Sequence, residues 1–247
     1  MLNKSEVKYI QSLSQKKFRD EAGAYLIEGP KITEEALASR QVKINKVYAL
    51  EEWADNHAAS YPDVKIQIVS AFELQKISQL KTANQVLVVA EMPANNFRFK
   101  KHLLSLALDG IQDPGNLGTI IRIADWFGIE QIICSKDCAD AFSPKVVQAT
   151  MGSIFRVELL YTDLDSWMDV QPDTCFYGAA LNGTPLKKVS GLDNGVIVIG
   201  NESKGIRSDI MEKVNQKITI EKWGAAESLN AAVATGIILS HVRTPKA

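Results

Sequence analysis

The sequence has few of the residues that metal centres and disulfide frameworks require. Among its 247 residues are three cysteines and three histidines. Cys134, Cys138 and Cys175 show neither the spacing of a zinc site nor that of a disulfide framework. No apolar run approaches the roughly 20 residues of a transmembrane helix, and the N-terminal segment lacks an apolar signal-peptide core. These absences favour a reduced, metal-free, cytoplasmic protein.

An excess of charge of one sign is also missing. The formal net charge is −1, with 23% charged and 46% apolar residues, which is ordinary for a globular protein. A sum near zero neither favours nor excludes nucleic acid, because a local basic face can be hidden in it. The length suits one large domain or two modest ones.

Helical and strand-like patterns alternate in the first part of the chain. The patterns predict one helix over about residues 5–18, and a later helix opened by Ser70 and Glu73 in capping-box spacing. Pro30 suits the first turn of another helix. Strands are expected at AYLIEG, KINKVYAL and QVLVVAEM. Turn formers and basic residues at 94–102 indicate a linker, so we expect domains at 1–93 and 103–247.

The second part predicts an α/β fold. Strand candidates are LLSLALDG, EQIICS, FRVELL, TCFYGAAL, GVIVIG and QKITIE, with helices expected at 116–127, 143–151, about 207–214 and 228 to about 242. Continuous apolar strands that alternate with helices indicate a parallel sheet covered on both faces. Ligands of such sheets bind beyond the carboxyl ends of the strands. Three polar, glycine-bearing turns fall there.

One of these turns, IGNESKGI, resembles a phosphate loop only in part. Gly200 and Gly205 have Walker A spacing, but Ile206 and Arg207 stand where the lysine and the serine or threonine belong. The phosphate-loop interpretation therefore fails. Taken alone, Asn201 and Glu202 would simply cap the next helix.

The other two turns open helices. LDGIQDPGNLGTIIRIADWFG carries Asn116 and Arg122, and an arginine among isoleucines can also simply extend to solvent. In KWGAAESLNAAVATG, Ser228 is a good N-cap. Asn230, predicted inside the first turn, has low helix propensity and could point at a ligand.

Together and in this order, the three turns resemble the motifs of the SpoU (TrmH-type) branch of the SPOUT RNA 2′-O-ribose methyltransferases. The matching segments are N-x-x-x-x-x-R at Asn116 and Arg122, I-G-N-E at 199–202 and S-L-N at 228–230; QATMGSIFRVEL resembles a further family segment. The resemblance covers Leu103 to the C terminus. More weakly, AYLIEGPKITEEAL resembles the L30e-like substrate-binding domain that precedes many of these catalytic domains.

The resemblance implies a C-terminal SPOUT domain with a trefoil knot, an exception to the rule against threaded chains, and an N-terminal α/β substrate-binding domain. It also implies S-adenosylmethionine as cofactor, a homodimer with the active site at the subunit interface, and methyl transfer to a ribose 2′-hydroxyl. The separate N-terminal domain favours 23S rRNA as the substrate. The alternatives are a tRNA 2′-O-methyltransferase, a non-catalytic RNA-binding or ribosome-assembly protein, and a SPOUT branch that methylates a base nitrogen.

The same resemblance implies roles for individual residues. Arg122 would act on the 2′-hydroxyl; a guanidinium holds its proton too strongly to be a good base, so we expect it to bind phosphate and stabilise the alkoxide. The expected catalytic set is Arg122, Asn116, Glu202, Ser228 and Asn230, and the expected cofactor-binding set is Gly200, Ile220, Leu229 and Leu181. Candidate RNA contacts are Lys16, Lys17, Arg19, Arg98, Lys100 and Lys101. The chain departs from the family pattern at Ser203-Lys204 and in the loop containing Glu221 and Trp223.

Overall fold

A computed structural model describes residues 1–39, 41–94, 96–189 and 192–243. These residues form ten α-helices and ten β-strands. The helices are α1 (Lys4–Ser12), α2 (Lys16–Ala22), α3 (Pro30–Ala38), α4 (Glu51–His57), α5 (Ala71–Ile77), α6 (Pro114–Trp126), α7 (Pro144–Thr150), α8 (Leu164–Asp169), α9 (Ser208–Glu212) and α10 (Ala231–Val242). The strands are β1 (Ala24–Glu28), β2 (Ile44–Ala49), β3 (Ile66–Ile68), β4 (Val86–Glu91), β5 (Leu104–Asp109), β6 (Gln131–Ser135), β7 (Glu158–Thr162), β8 (Phe176–Pro185), β9 (Gly195–Gly200) and β10 (Gln216–Thr219).

The chain divides into two compact units. The first consists of residues 1–94 and 140–155, and the second of the rest of the described chain. The segment 140–155, which contains α7, thus packs with the first unit, where its helix contacts β1. The sequence boundaries 1–93, 94–102 and 103–247 remain a prediction about domains, and no pattern in the sequence signals this exchange of a segment.

The first unit is built on a mixed four-stranded sheet in the order β1-β4-β2-β3. Strand β4 is antiparallel to both β1 and β2, whereas β2 and β3 run parallel. Helices α1 and α5 cover it with Ile10, Leu74 and Ile77, together with Leu13 directly after α1. The predicted capping box at the start of α5 is confirmed, because Ser70 and Glu73 bond each other's backbone N–H groups.

The prediction of one helix over residues 5–18 is wrong. The helix stops at Ser12, and α2 begins at Lys16. The Arg19 guanidinium donates to the carbonyl oxygens of Leu13 and Ser14, each at 2.9 Å. In a continuous helix these carbonyls would accept from backbone N–H groups four residues further on, so the arginine replaces the helical bonds.

The second unit contains the predicted parallel sheet. Its order is β10-β8-β9-β5-β6-β7, and each neighbouring pair is parallel. Strands β5 and β6 are buried along their whole length, as expected where helices cover both faces. One face packs on Leu164, Trp167 and Ile210 from α8 and α9. Helix α8 was not predicted, and β7 begins three residues later than expected because Ser153–Phe155 forms a 3-10 turn.

Two features of this sheet shape its carboxyl edge. Strands β5 and β9 end side by side, with Asp109 opposite Gly200. Between β8 and β10 the register jumps, so that Lys217 pairs with Gly178 but Ile218 pairs with Thr184. Residues 179–183 therefore make an excursion at the edge of the sheet, and Leu181 within it is 77% exposed.

Among the helices described, none is long and apolar enough to cross a membrane.

Candidate functional site

The first turn of α6 is set by its N-cap. Asp113 accepts a hydrogen bond from the Asn116 N–H at 2.8 Å, and Pro114 occupies the first helical turn, where its missing N–H costs nothing. The helix therefore starts two residues before the predicted position. Because Asp113 takes the backbone group, the Asn116 side chain remains available for other contacts.

The loop after β9 is closed on itself. Asn201 and Gly205 exchange backbone hydrogen bonds of 3.0 and 2.8 Å. The Asn201 Oδ1 accepts from the N–H groups of Ser203 and Lys204, while its Nδ2 donates to the Gly110 carbonyl at 2.8 Å. A Cβ on Gly200 would lie 2.3 Å from the backbone carbon of Gly205, so only glycine fits there. The loop is a tight turn that presents Glu202.

Three polar side chains from three separate segments meet in one network. The Asn116 Nδ2 donates to Glu202 Oε1, and the Asn230 Nδ2 donates to Asn116 Oδ1 at 2.8 Å. Asn116 thus uses both ends of its amide, which fixes the side chain between the loop after β9 and the start of α10. The three motif residues that the sequence analysis grouped are therefore in direct contact.

Asn230, rather than Ser228, is the N-cap of α10. Its Oδ1 accepts from the N–H groups of Ala232 and Val233 at 3.0 and 3.2 Å. The predicted helix start at Ser228 is wrong by three residues, and Ser228 is exposed in the preceding loop. Asn ranks with Ser as an N-cap, and its amide can also donate. One residue consequently starts the helix and completes the network.

Arg122 lies outside this network. It is exposed on α6 and, within the described residues, makes no hydrogen bond or ion pair. Six residues of helix place it about 120° around the axis from Asn116. It shares its side of α6 with Trp126, which is 84% exposed. The network of one chain therefore does not orient the arginine of that chain.

The exposed side of α6 continues onto α10. The two helices pack against each other, and a Cβ on Gly236 would be 3.6 Å from the Ile123 Cδ1. Beside this contact, Val233 is 51% and Ile237 39% exposed. Helix α10 is thus apolar on its outer side as well as on its buried side.

The residues predicted to bind the cofactor lie at the carboxyl edge of the sheet. Gly200 ends β9 and Ile220 follows β10, while Leu181 is in the excursion of β8. The Thr219 hydroxyl donates to the Leu181 carbonyl at 3.2 Å, which ties two of these segments together. Leu181 and Leu229 are 77% and 45% exposed. Two of the predicted cofactor-binding side chains are therefore uncovered and apolar, at the edge where the ligands of parallel sheets commonly bind.

The basic residues predicted to contact RNA differ in accessibility. Arg19 is 2% exposed and is bonded to Asp140 as well as to two carbonyls, so its assignment as an RNA contact is wrong and its role is structural. Lys100 is held by Glu130 at 2.8 Å and Glu158 at 3.4 Å. The remaining candidates, Lys16, Lys17, Arg98 and Lys101, are exposed.

A buried acid next to the site was missed by the sequence analysis. Asp109, at the end of β5, is 2% exposed. Its Oδ2 accepts from the Arg207 N–H and its Oδ1 from the Arg207 Nε, both at 2.8 Å. The signal in the sequence is a charged residue at the end of the largely apolar strand LSLALD. Arg207 was considered only at a failed Walker A position and as the approximate start of a predicted helix.

The thiol of Cys138 contacts the turn that follows β5. The Ile111 N–H donates to the Cys138 Sγ at 3.3 Å. A hydrogen bond from Cys134 lowers the pKa of Cys138 to about 7, against the opposing effect of burial. The thiol is 9% exposed and accepts the hydrogen bond of the Ile111 N–H from the buried side of the turn.

In the part of the chain that the structure describes, no group of three or more His, Cys, Asp or Glu residues could hold a metal ion.

The fold and these motifs place the chain in a known family. The model of the SpoU rRNA Methylase family matches residues 103–240, and that of the MRM3-like substrate binding domain matches residues 4–88. The chain belongs to the SpoU family, in its SPOUT TrmH-type branch, and carries an N-terminal substrate-binding domain, as the resemblance implied.

Individual relatives extend over nearly the whole chain. The chain is 31% identical over 96% of its length to the 23S rRNA (guanosine(2553)-2′-O)-methyltransferase RlmP of Bacillus subtilis, of which it covers 96%. A TrmH-family structure from Porphyromonas gingivalis superposes with a TM-score of 0.87 at 31% identity, covering 98% of both chains. An AdoMet-bound rRNA methyltransferase from Sinorhizobium meliloti gives 0.83 at 28% identity, with 98% and 95% covered.

Proposed function

We propose that this chain transfers a methyl group from S-adenosylmethionine to a ribose 2′-hydroxyl of 23S rRNA, and so acts in the cytoplasm. The observation that carries the proposal is the bonded set Asn116, Glu202 and Asn230 at the carboxyl edge of the parallel sheet. The similarity to RlmP supports the reaction and the substrate class, and the AdoMet-bound relative supports the cofactor.

The cofactor supplies an activated methyl group on a sulfonium sulfur. Leu181, Ile220 and Leu229 would provide apolar walls for its adenine. The close backbone approach at Gly200 shapes the adjoining turn. A displacement of this kind needs the attacking oxygen aligned and held close, and positioning alone can supply much of the rate.

Arg122 would act on the RNA. Its guanidinium remains charged at neutral pH, so it suits the phosphate beside the target ribose and the negative charge that develops on the 2′-oxygen. The proton leaves to phosphate or water. The network of Asn116, Glu202 and Asn230 would hold the ribose, and Ser228, three residues before α10, could contribute a hydroxyl.

A homodimer would bring these groups together. In one chain Arg122 lies on the exposed side of α6 with Trp126, and the adjoining helix α10 exposes Val233 and Ile237. If this face packs on a second copy, the arginine of one subunit would meet the network of its partner. The trefoil knot implied by the family belongs to the same proposal, because the loop that carries Glu202 would be part of it.

The rival functions are less well supported. A tRNA substrate leaves the N-terminal substrate-binding domain, matched over residues 4–88, without a particular purpose. A non-catalytic RNA-binding protein would have no need of a bonded polar network beside an exposed arginine. A base-nitrogen methyltransferase is the remaining chemical rival, and the product distinguishes it.

The test measures the product directly. Purified protein is incubated with labelled S-adenosylmethionine and either 23S rRNA or tRNA that lacks the modification, and the nucleosides are then analysed. A 2′-O-methyl nucleoside in 23S rRNA is expected, and a fragment with a 2′-deoxy sugar at the mapped position should accept no label. A methylated base, label in tRNA alone, or no label with either RNA would contradict the proposal.

A further inference from the structure

The loop that carries Glu202 is hydrogen-bonded to the end of β5 at both of its own ends. At the first end, the Asn201 Nδ2 donates to the Gly110 carbonyl. At the second end, the backbone N–H and the Nε of Arg207 both donate to the carboxylate of Asp109. Within the loop, Asn201 and Gly205 are joined by two backbone hydrogen bonds. The position of Glu202 is therefore fixed relative to β5, a fully buried strand.

The same strand leads into the helix that carries Asn116. After Asp109 and Gly110 the chain passes through Asp113 into α6. The end of β5 is thus connected to both partners of the Asn116–Glu202 hydrogen bond. Asn116 follows it along the chain, and Glu202 is held to it by the hydrogen bonds of the loop. Loosening the contact between Arg207 and Asp109 would release one end of the loop, so we expect Glu202 to shift relative to Asn116.

We propose that Asp109 and Arg207 are positioning residues for methyl transfer, which hold Glu202 on Asn116 without touching RNA or cofactor. The proposal rests on the proposed function for its kinetic consequences and on the loop geometry for its structural ones. Asp109 is 2% exposed and so cannot reach a substrate. Its carboxylate accepts one hydrogen bond from the Arg207 backbone N–H and one from the Arg207 Nε, and the bond from the charged Nε is the stronger kind.

The surroundings of Arg207 argue against a direct role on RNA phosphate. Besides Asp109, the carboxylates of Asp137 and Asp209 interact electrostatically with the guanidinium. A phosphate approaching this arginine would meet three carboxylates. By contrast, Arg122 makes no ion pair within the described residues, which leaves it suited to an anion. The two arginines at this edge therefore have different tasks.

A double-mutant cycle tests the proposal. Arg207→Ala should lower kcat by about 10²-fold, as small displacements of catalytic groups do, with little change in the KM for RNA or cofactor. In a Glu202→Ala background the same substitution should cause almost no further loss, because its effect passes through Glu202. Asp109→Asn should behave like Arg207→Ala. The matched control is Lys213→Ala, directly after α9. It removes the ion pairs of Lys213 with Asp165 and Asp169 and should stay near wild-type activity.

Hydrogen exchange gives a readout that does not depend on activity. The Gly205 N–H donates to the Asn201 carbonyl inside the loop, so its exchange should accelerate in Arg207→Ala and Asp109→Asn but not in Lys213→Ala. Unchanged exchange at Gly205 would overturn the proposal even if the wild type methylated no RNA. Equal losses of kcat in the presence and absence of Glu202 would overturn it as well. If Arg207→Ala fails to fold, Arg207→Lys, which keeps the charge but lacks the Nε–H that donates to Asp109, is tested in the same way.

Discussion

Two parts of the same helix differ in how far a single chain completes them. At the start of α6, Asn116 is bonded on both sides, to Glu202 and to Asn230. Two turns later Arg122 is exposed and, among the described residues, makes no hydrogen bond or ion pair. One end of α6 is therefore part of a finished polar network, whereas its exposed side ends in an uncompensated charge beside uncovered apolar side chains.

This difference separates two kinds of functional group. The network is organised in advance, so it can hold a ligand without reorganising. Within the described residues the arginine has no hydrogen-bonding or ion-pair partner, which leaves it available for the partner that we propose, RNA bound where a second subunit packs.

The largest effect is expected for Arg122→Ala. In the proposed function this charge stabilises the developing alkoxide, so its removal should lower kcat by about 10³-fold. Because Arg122 has no partner in the described residues, the melting temperature and cofactor binding should remain close to wild type. Single-turnover methylation, thermal unfolding and calorimetric titration with S-adenosylmethionine measure the three properties. A lower melting temperature or lost cofactor binding would instead make Arg122 structural.

Much of this site could be predicted from the sequence, and the reason is local. Asn116, Glu202 and Asn230 each follow a strand or open a helix, and in a parallel sheet the carboxyl ends of all strands meet at one edge. Their grouping therefore followed from order and spacing, together with the family resemblance. The N-cap did not, because Ser228 and Asn230 are equally good caps and only the network distinguishes them.

Other features depended on contacts distant in sequence. Arg19 looked like a surface charge in a basic segment, yet it is buried by carbonyls nearby and by Asp140, 121 residues away. The pair Asp109 and Arg207 spans 98 residues. No periodicity or local motif reports such pairs, and the break between α1 and α2 comes from the bonds of the same Arg19 to the nearby carbonyls of Leu13 and Ser14. The partners of charged groups were thus one source of error.

An intermediate effect is expected when the exposed face of α6 and α10 is charged. Ile237→Glu should prevent self-association, because a carboxylate in a dry interface is costly to desolvate, and activity should fall by about 10²-fold if positioning across the interface is lost. Phe72→Glu is the matched control, since Phe72 is a 71% exposed apolar residue in the first unit. Light scattering reports the mass. A wild-type protein that is monomeric, or an Ile237→Glu variant that remains dimeric, would contradict the proposed interface.

Mixing two inactive variants sharpens the same point. In a dimer of Arg122→Ala with Glu202→Ala, one composite site would be intact only if arginine and network come from different subunits. Random mixing should then restore about one quarter of wild-type activity, because half of the dimers are mixed and each has one intact site. No recovery would place both groups of each site in the same chain.

The smallest effects are expected at Asn230, where one side chain performs two tasks that substitutions can separate. Asn230→Ser retains an N-cap oxygen for Ala232 and Val233 but loses the amide donor to Asn116. Stability should therefore stay within a few tenths of a kcal/mol, while kcat falls by about tenfold, the equivalent of one hydrogen bond of roughly 1.4 kcal/mol.

Asn230→Ala removes both functions, so it should show the same loss of kcat together with about 1 kcal/mol lower stability. Denaturant unfolding and single-turnover rates measure the two quantities in parallel. If the serine variant retained full activity, the hydrogen bond between Asn230 and Asn116 would have no role in transfer. The network would then consist of Asn116 and Glu202 alone, and the start of α10 would serve only to begin the helix.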